Sequence, residues 1–141
     1  MIIKNKKILV LAAHPDDETL GCGGTIKKLS RYNKIHLLTF TNGHSAREKE
    51  DHLNRNILLS KVCKILGISK YNFGNFPDNA MDSVPLIEIV KFIENIIKYT
   101  PDIIFTHHPR CLNIDHRIVY MATLTAFRPQ FGKSQKIYSY N

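Results

Sequence analysis

The chain has 141 residues, 43% of them apolar and 23% charged, the balance of one globular domain with its own core. Its formal charge of +8 comes from scattered lysines, not from basic runs interleaved with stacking aromatics, so a nucleic-acid partner is not expected. Cys22, Cys63 and Cys111 are odd in number and form no CxxC pair, which argues against a disulfide framework and for a reducing, cytoplasmic setting.

Residues 8–13 are continuously apolar, the pattern of a parallel strand covered on both faces. This run follows a basic N-terminus but is too short to span a bilayer. It ends in His14-Pro15-Asp16-Asp17-Glu18, without a small-residue cleavage site, so a strand is a better reading than a signal peptide. One imidazole and three carboxylates thus crowd together at the end of a buried strand. Like charges that lose hydration there need a compensating cation or partner. Asp16 or Asp17 can cap the helix expected over 19–32. Gly21, Gly23 and Gly24 weaken that helix unless the backbone must approach a strand or a substrate.

A second strand is expected over 35–41, ended by Asn42-Gly43, followed by a helix over 47–66 with Gly67 as its stop. Residues 71–73 read as a short strand and 76–79 as a loop. Leu86, Ile89, Val90, Ile93, Ile96 and Ile97 mark an amphipathic helix that Pro101 terminates. Residues 103–105 form a fourth strand, 115–127 a helix and 135–140 a fifth strand. Strands alternating with helices predict an α/β, Rossmann-like three-layer fold with a mainly parallel sheet. The Gly21-Cys22-Gly23-Gly24 run lacks the spacing of a dinucleotide fingerprint, and its loop is acidic.

The loop after the fourth strand carries Asn113-Ile114-Asp115-His116-Arg117. Sites in such sheets gather at the carboxyl ends of strands, so both clusters belong on one rim. A catalytic zinc takes three His, Asp or Glu ligands and leaves one position open. His14 and Asp17 can converge across the stiff Pro15 turn, and His116 can supply the third ligand. Asp16, between the first two, can act as general base. Asp115 cannot easily share a metal with its neighbour and can instead orient an imidazole or tune the base. The Asn113 amide can donate to an oxyanion. Taken singly, the acidic residues read equally well as helix caps, and Asp115 as the cap of its own helix; it is the pairing of two clusters that favours a metal-dependent hydrolase. Glu18 reads as structural, Cys111 as a packed thiol in preference to a soft ligand, and at least one of His107 and His108 as a strand-end residue bonded to backbone. His36, His44 and His52 read as surface or loop residues.

The run Ala13-His14-Pro15-Asp16-Asp17-Glu18 resembles the signature of the LmbE-like, or PIG-L, zinc-dependent N-deacetylases. The resemblance continues through Gly21-Cys22-Gly23-Gly24, Thr41-Asn42-Gly43, Arg55, Leu66-Gly67, Pro101-Asp102, Thr106-His107, Asn113-Ile114-Asp115-His116-Arg117 and Ala126-Phe127-Arg128-Pro129. It implies a Rossmann-like fold and removal of an N-acetyl group from an N-acetylglucosamine-type conjugate. It also implies His14, Asp17 and His116 as zinc ligands and Asp16 as base, with Arg55 near the substrate. Iron suits the same His/His/Asp set. Specificity is expected in loops 43–51 and 74–84, and Asp78 in the latter joins Arg55 as a substrate-binding candidate. Three departures stand out. Asn113 occupies a position where the family often has histidine, Cys111 one where a subgroup usually has aspartate, and residues 1–141 form a single domain expected to lack the family's C-terminal portion. The expected partner is a small amino-sugar conjugate, with no integral membrane segment; a homo-oligomer is compatible with the sequence. A rival expectation is a truncated, catalytically impaired metal-binding member serving as an assembly or regulatory partner.

Overall fold

The computed structural model describes residues 3–41, 52–129 and 135–140, and for 52–56 the backbone alone. Five strands form one parallel sheet in the order β3-β2-β1-β4-β5. They are β1 (Lys7–Ala12), β2 (Lys34–Thr41), β3 (Lys70–Phe76), β4 (Ile103–His107) and β5 (Lys136–Tyr140). Among the described residues, four α-helices connect them: α1 (Asp17–Ser30), α2 (His52–Leu66), α3 (Leu86–Ile96) and α4 (Ile114–Ala126).

The apolar run of β1 is explained by its two covered faces. Ile8, Val10 and Ala12 pack with Cys22 and Ile26 of α1 and with Leu59, Cys63 and Leu66 of α2. Leu9 and Leu11 face the other layer, with Ile89, Val90 and Ile93 of α3 and Val119 and Ala122 of α4. Alternate residues of one strand therefore serve two separate cores, as the period of two in a strand requires. Strand order grows from β1 toward β3 on one side, then restarts at β4 on the other. The carboxyl ends of β1 and β4 flank this reversal, where α/β sheets open a crevice.

The expected element order holds, and the structure departs from the sequence expectations in its details. Strand β3 runs on to Phe76, so Phe76 is not in a loop. Glycine at position 74 lets β3 lie against the Phe40 carbonyl, where a Cβ would collide. The β2–β3 register shifts there, between Thr39 and Thr41. A short 3₁₀ turn at Met81–Ser83 lies within the expected loop. His36 is not a surface residue: it is 4% exposed, lying between the Tyr99 hydroxyl at 3.0 Å from Nδ1 and Asn72 Oδ1 at 2.9 Å from Nε2. Two polar partners across neighbouring elements make its burial tolerable. Of the three glycines in α1, only Gly21 has a close-approach reason: a Cβ there would run into the Tyr140 ring, whereas Gly24 faces open space. The positions of His44 and of the expected first helical turn at 47–51 lie outside the described residues.

The amino-terminal end of the sheet is tied by Asn33. Its Oδ1 accepts from the Lys6 amide at 2.9 Å, and its Nδ2 donates to the carbonyls of Leu29 at 2.8 Å and Ile3 at 3.0 Å. Asp102 accepts from the Lys7 amide at 2.8 Å. Among the described residues, no helix is long and apolar enough to cross a membrane.

Candidate active site

The β1–α1 loop turns sharply. Asp17 Oδ2 accepts from the His14 amide at 2.8 Å, and the Asp17 amide donates back to the His14 carbonyl at 3.3 Å. Asp16 takes the N-cap position with φ 151°, a left-handed conformation costly for any residue but glycine. Its side chain makes no capping bond, so helix capping does not account for it. It stands exposed at the rim. Glu18 is 1% exposed; its carboxyl accepts from the Thr19 hydroxyl at 2.7 Å and the Asp16 amide at 3.3 Å. Burial pushes that carboxyl up from its usual pKa.

The start of α4 meets this loop. His116 Nε2 lies 3.3 Å from Asp17 Oδ1 and 3.3 Å from His14 Nδ1. His14 Nδ1 is 3.3 Å from Asp17 Oδ2. Ligand atoms of His14, Asp17 and His116 all fall within 4.8 Å of one another. Residues 102 positions apart are thus close enough to share one ion.

The outer nitrogen of His14 faces two carboxylates, Asp115 Oδ2 at 3.0 Å and Asp78 Oδ1 at 3.1 Å. Asp115 is 0% exposed but well supplied with donors: the Asn79 amide at 2.7 Å, the Met81 amide at 3.0 Å and the His14 ring. Asp78, expected at the substrate, has a side chain 6% exposed and directed to His14. Asn113, not Asp115, caps α4: its Oδ1 accepts from the Asp115 amide at 2.8 Å, and its Nδ2 donates to Asn79 Oδ1 at 3.3 Å. Arg55 lies on α2 with its side chain outside the described residues.

His107 is the strand-end histidine bonded to backbone. Its Nε2 accepts from the Ala13 amide at 2.9 Å, which in the neutral ring places the proton on Nδ1. Only 2% exposed, it stacks on His116 at 3.8 Å between centroids and is backed by the Tyr140 ring at 4.9 Å. The need for Gly21 follows: the Tyr140 ring behind His107 fills the space a side chain would take. The role of His107 as a prop for His116 carried no motif signal beyond the Thr106-His107 pair.

The electrostatics fit a cation. Burial raises the Asp17 carboxyl, but contacts with His107, His116 and His14 outweigh it and hold the group well below the usual carboxylate range. Burial disfavours charge on His14, yet Asp17, Asp115 and Asp78 raise its pKa to about 9. A proton on His14 meets the demand of the surrounding acids, and a bound metal would displace it. Burial lowers the pKa of His107 despite Asp17, which favours the neutral ring where it stacks on His116.

Residues 9–127 match the family described as PIG-L: GlcNAc-PI de-N-acetylase. The chain is 31% identical over 132 residues to the uncharacterized deacetylase YaiS of Escherichia coli (strain K12), covering 89% of this chain and 70% of that protein. It is 30% identical over 99 residues to a 1D-myo-inositol 2-acetamido-2-deoxy-alpha-D-glucopyranoside deacetylase of Thermomonospora curvata, covering 57% of this chain and 33% of that one. Among solved structures, the N,N'-diacetylchitobiose deacetylase of Pyrococcus horikoshii superposes with a TM-score of 0.81 at 26% identity, over 96% of this chain and 60% of that one. The chain therefore spans only part of the length of each of these proteins. A family match over residues 9–127, together with a relative 31% identical over 89% of the chain, makes it a member of the PIG-L, or LmbE-like, deacetylase family.

Proposed function

We propose that this protein is a metal-dependent hydrolase that removes the N-acetyl group from an N-acetylglucosamine-type amino-sugar conjugate. The observation that carries this reading is the convergence of His14, Asp17 and His116, from the β1–α1 junction and the first turn of α4, with all ligand atoms within 4.8 Å. Two imidazoles and one carboxylate suit zinc, and iron nearly as well. When bound, such an ion lowers the pKa of water to about 7 and polarises a carbonyl.

The chain's own residues supply the rest. Asp16, held exposed on a strained backbone beside Asp17, takes a proton from the attacking water. The water oxygen bonds to the amide carbon, and the Asn113 amide steadies the oxyanion. Asp16 then returns its proton to the nitrogen as the C–N bond breaks, leaving acetate and a free amine. Asp115 holds His14 with its Nε2–H committed and its Nδ1 facing the other ligands. Arg55 is assigned to the substrate and Asp78 to the wall of its site beside His14. Support for an amino-sugar substrate comes from the two named sugar deacetylases the chain resembles. We assign residues 1–141 to one LmbE-like domain acting on a small molecule in the cytoplasm.

Metal analysis and acetate release test this reading together. One divalent ion per chain, with acetate freed from an N-acetylglucosamine conjugate, is the expected result. Bound metal without acetate release from a broad amino-sugar panel would instead favour a catalytically impaired member that serves as an assembly or regulatory partner. No stoichiometric metal would overturn the centre itself.

A further inference from the structure

His116 offers one nitrogen, Nε2, to Asp17 and His14. Its other nitrogen, Nδ1, lies 3.2 Å from Cys111 Sγ. The sulfur is placed by a loop tied in several ways. The Cys111 amide donates to the His108 carbonyl at 3.1 Å. The Arg117 guanidinium donates to the carbonyls of Cys111 at 2.7 Å and Leu112 at 2.9 Å. One face of the His116 ring is closed by His107. The ring is therefore held on a face and at an edge, and the edge contact is made by sulfur.

A neutral imidazole that offers Nε2 to a cation carries its proton on Nδ1. The nearby sulfur is then the acceptor. We propose that Cys111 is a positioning residue of the metal centre: its sulfur accepts the Nδ1–H of His116 and so fixes that ring's tautomer and its aim toward Asp17 and His14. The inference rests on the metal reading above. It gives the two imidazoles different outer partners, since His14 has carboxylates and His116 has a thiol. Sulfur is a weak acceptor. A carboxylate at position 111 would therefore make His116 a stronger ligand than the native residue does.

The experiment compares the metal-freed full chain with Cys111→Ala, Cys111→Ser and Cys111→Asp. Zinc affinity is measured by competition with a chromophoric chelator, cobalt(II) is added as a spectroscopic probe, and the melting temperature checks folding. Loss of an outer partner weakens metal binding about 10–100-fold, the drop expected for Cys111→Ala. Cys111→Asp should bind zinc at least as tightly as the native chain. Cys111→Ser, close in shape and a better-defined acceptor, should fall between Ala and Asp and guards against a misfolded Ala variant. The native cobalt form should show weak ligand-field bands without an intense thiolate-to-cobalt charge-transfer band. Equal affinity in the native and Ala forms overturns the positioning role while leaving the metal centre standing. A strong charge-transfer band that vanishes in Cys111→Ala makes sulfur a direct ligand, which also overturns it. Failure of the native chain to bind zinc or cobalt removes both the centre and this inference.

Discussion

The two ends of this sheet are built from similar materials for opposite purposes. At the amino-terminal end, Asn33 ties strand to helix through three bonds of 2.8–3.0 Å, and His36 rests between Tyr99 and Asn72. Asn33 and His36 there each have neutral partners. At the carboxyl end, His14 is surrounded by Asp17, Asp78 and Asp115, His107 is stacked on His116, and Asp16 carries a strained φ of 151°. The buried histidine at one end is satisfied without charge, whereas the cluster at the other accumulates it. Strain and like charges are kept only where the surrounding structure imposes them, and such places are commonly functional. The contrast yields a separable test: changes at the carboxyl end should remove turnover and spare folding, and changes at the amino-terminal end should do the reverse.

The largest expected effect is at Asp16. Asp16→Asn should lower deacetylation about 10²–10⁴-fold, the range of a lost general base. Zinc content and melting temperature should stay unchanged, because asparagine meets the same backbone cost as the aspartate it replaces and no capping bond is lost. Unchanged acetate release would remove Asp16 as the base. Next comes Asp115→Asn, which keeps the shape but removes the charge that holds His14 Nε2–H. Zinc affinity in a chelator competition should weaken about 10–100-fold. Affinity equal to the native chain would make Asp115 a purely structural group.

At the opposite end, Asn33→Ala removes three hydrogen bonds at a nearly buried position. Urea denaturation should show a loss of about 1–3 kcal/mol, with turnover of the remaining folded protein unchanged. A loss of turnover at constant stability would break the division between the two ends. The smallest effect is a pH dependence. Burial lowers the His36 pKa below its ordinary 6.5, and Asn72 only partly offsets this. The folded chain therefore holds His36 neutral while the unfolded chain binds a proton below 6.5. The stability it contributes is complete above that value and is lost as pH falls below it. Between about pH 8 and about pH 5, native protein should lose more stability than His36→Gln. An equal loss in both would show that His36 does not titrate differently on folding.

The alternation of apolar strands with amphipathic helices was legible along the chain, and so was the His14–Glu18 cluster at a strand end. An apolar run such as 8–13 has few solutions other than burial on both faces, and His14-Pro15-Asp16-Asp17-Glu18 concentrates chemistry in five residues. Less was legible where a residue's surroundings come from distant segments. His36 looked like an isolated histidine because its partners, Asn72 and Tyr99, stand 36 and 63 positions away. Asp115 looked equally like a helix cap; Asn113 holds that position, and Asp115 instead meets His14 across 101 residues. Asp78 sits in a loop that no period constrains, yet the 3₁₀ turn and the Asn79 and Met81 amides bring that loop over Asp115.

By itself, the sequence determined the layers, the parallel sheet and the residues able to bind a metal, because these follow from local period and from the donor atoms each side chain carries. Only the tertiary structure decided the outer partner of each imidazole. It set Asp115 and Asp78 against His14, Cys111 against the edge of His116 and His107 against its face. The strand order brings the ends of β1 and β4 side by side, and distances of about 3 Å between segments a hundred residues apart arise from that packing and from no local rule.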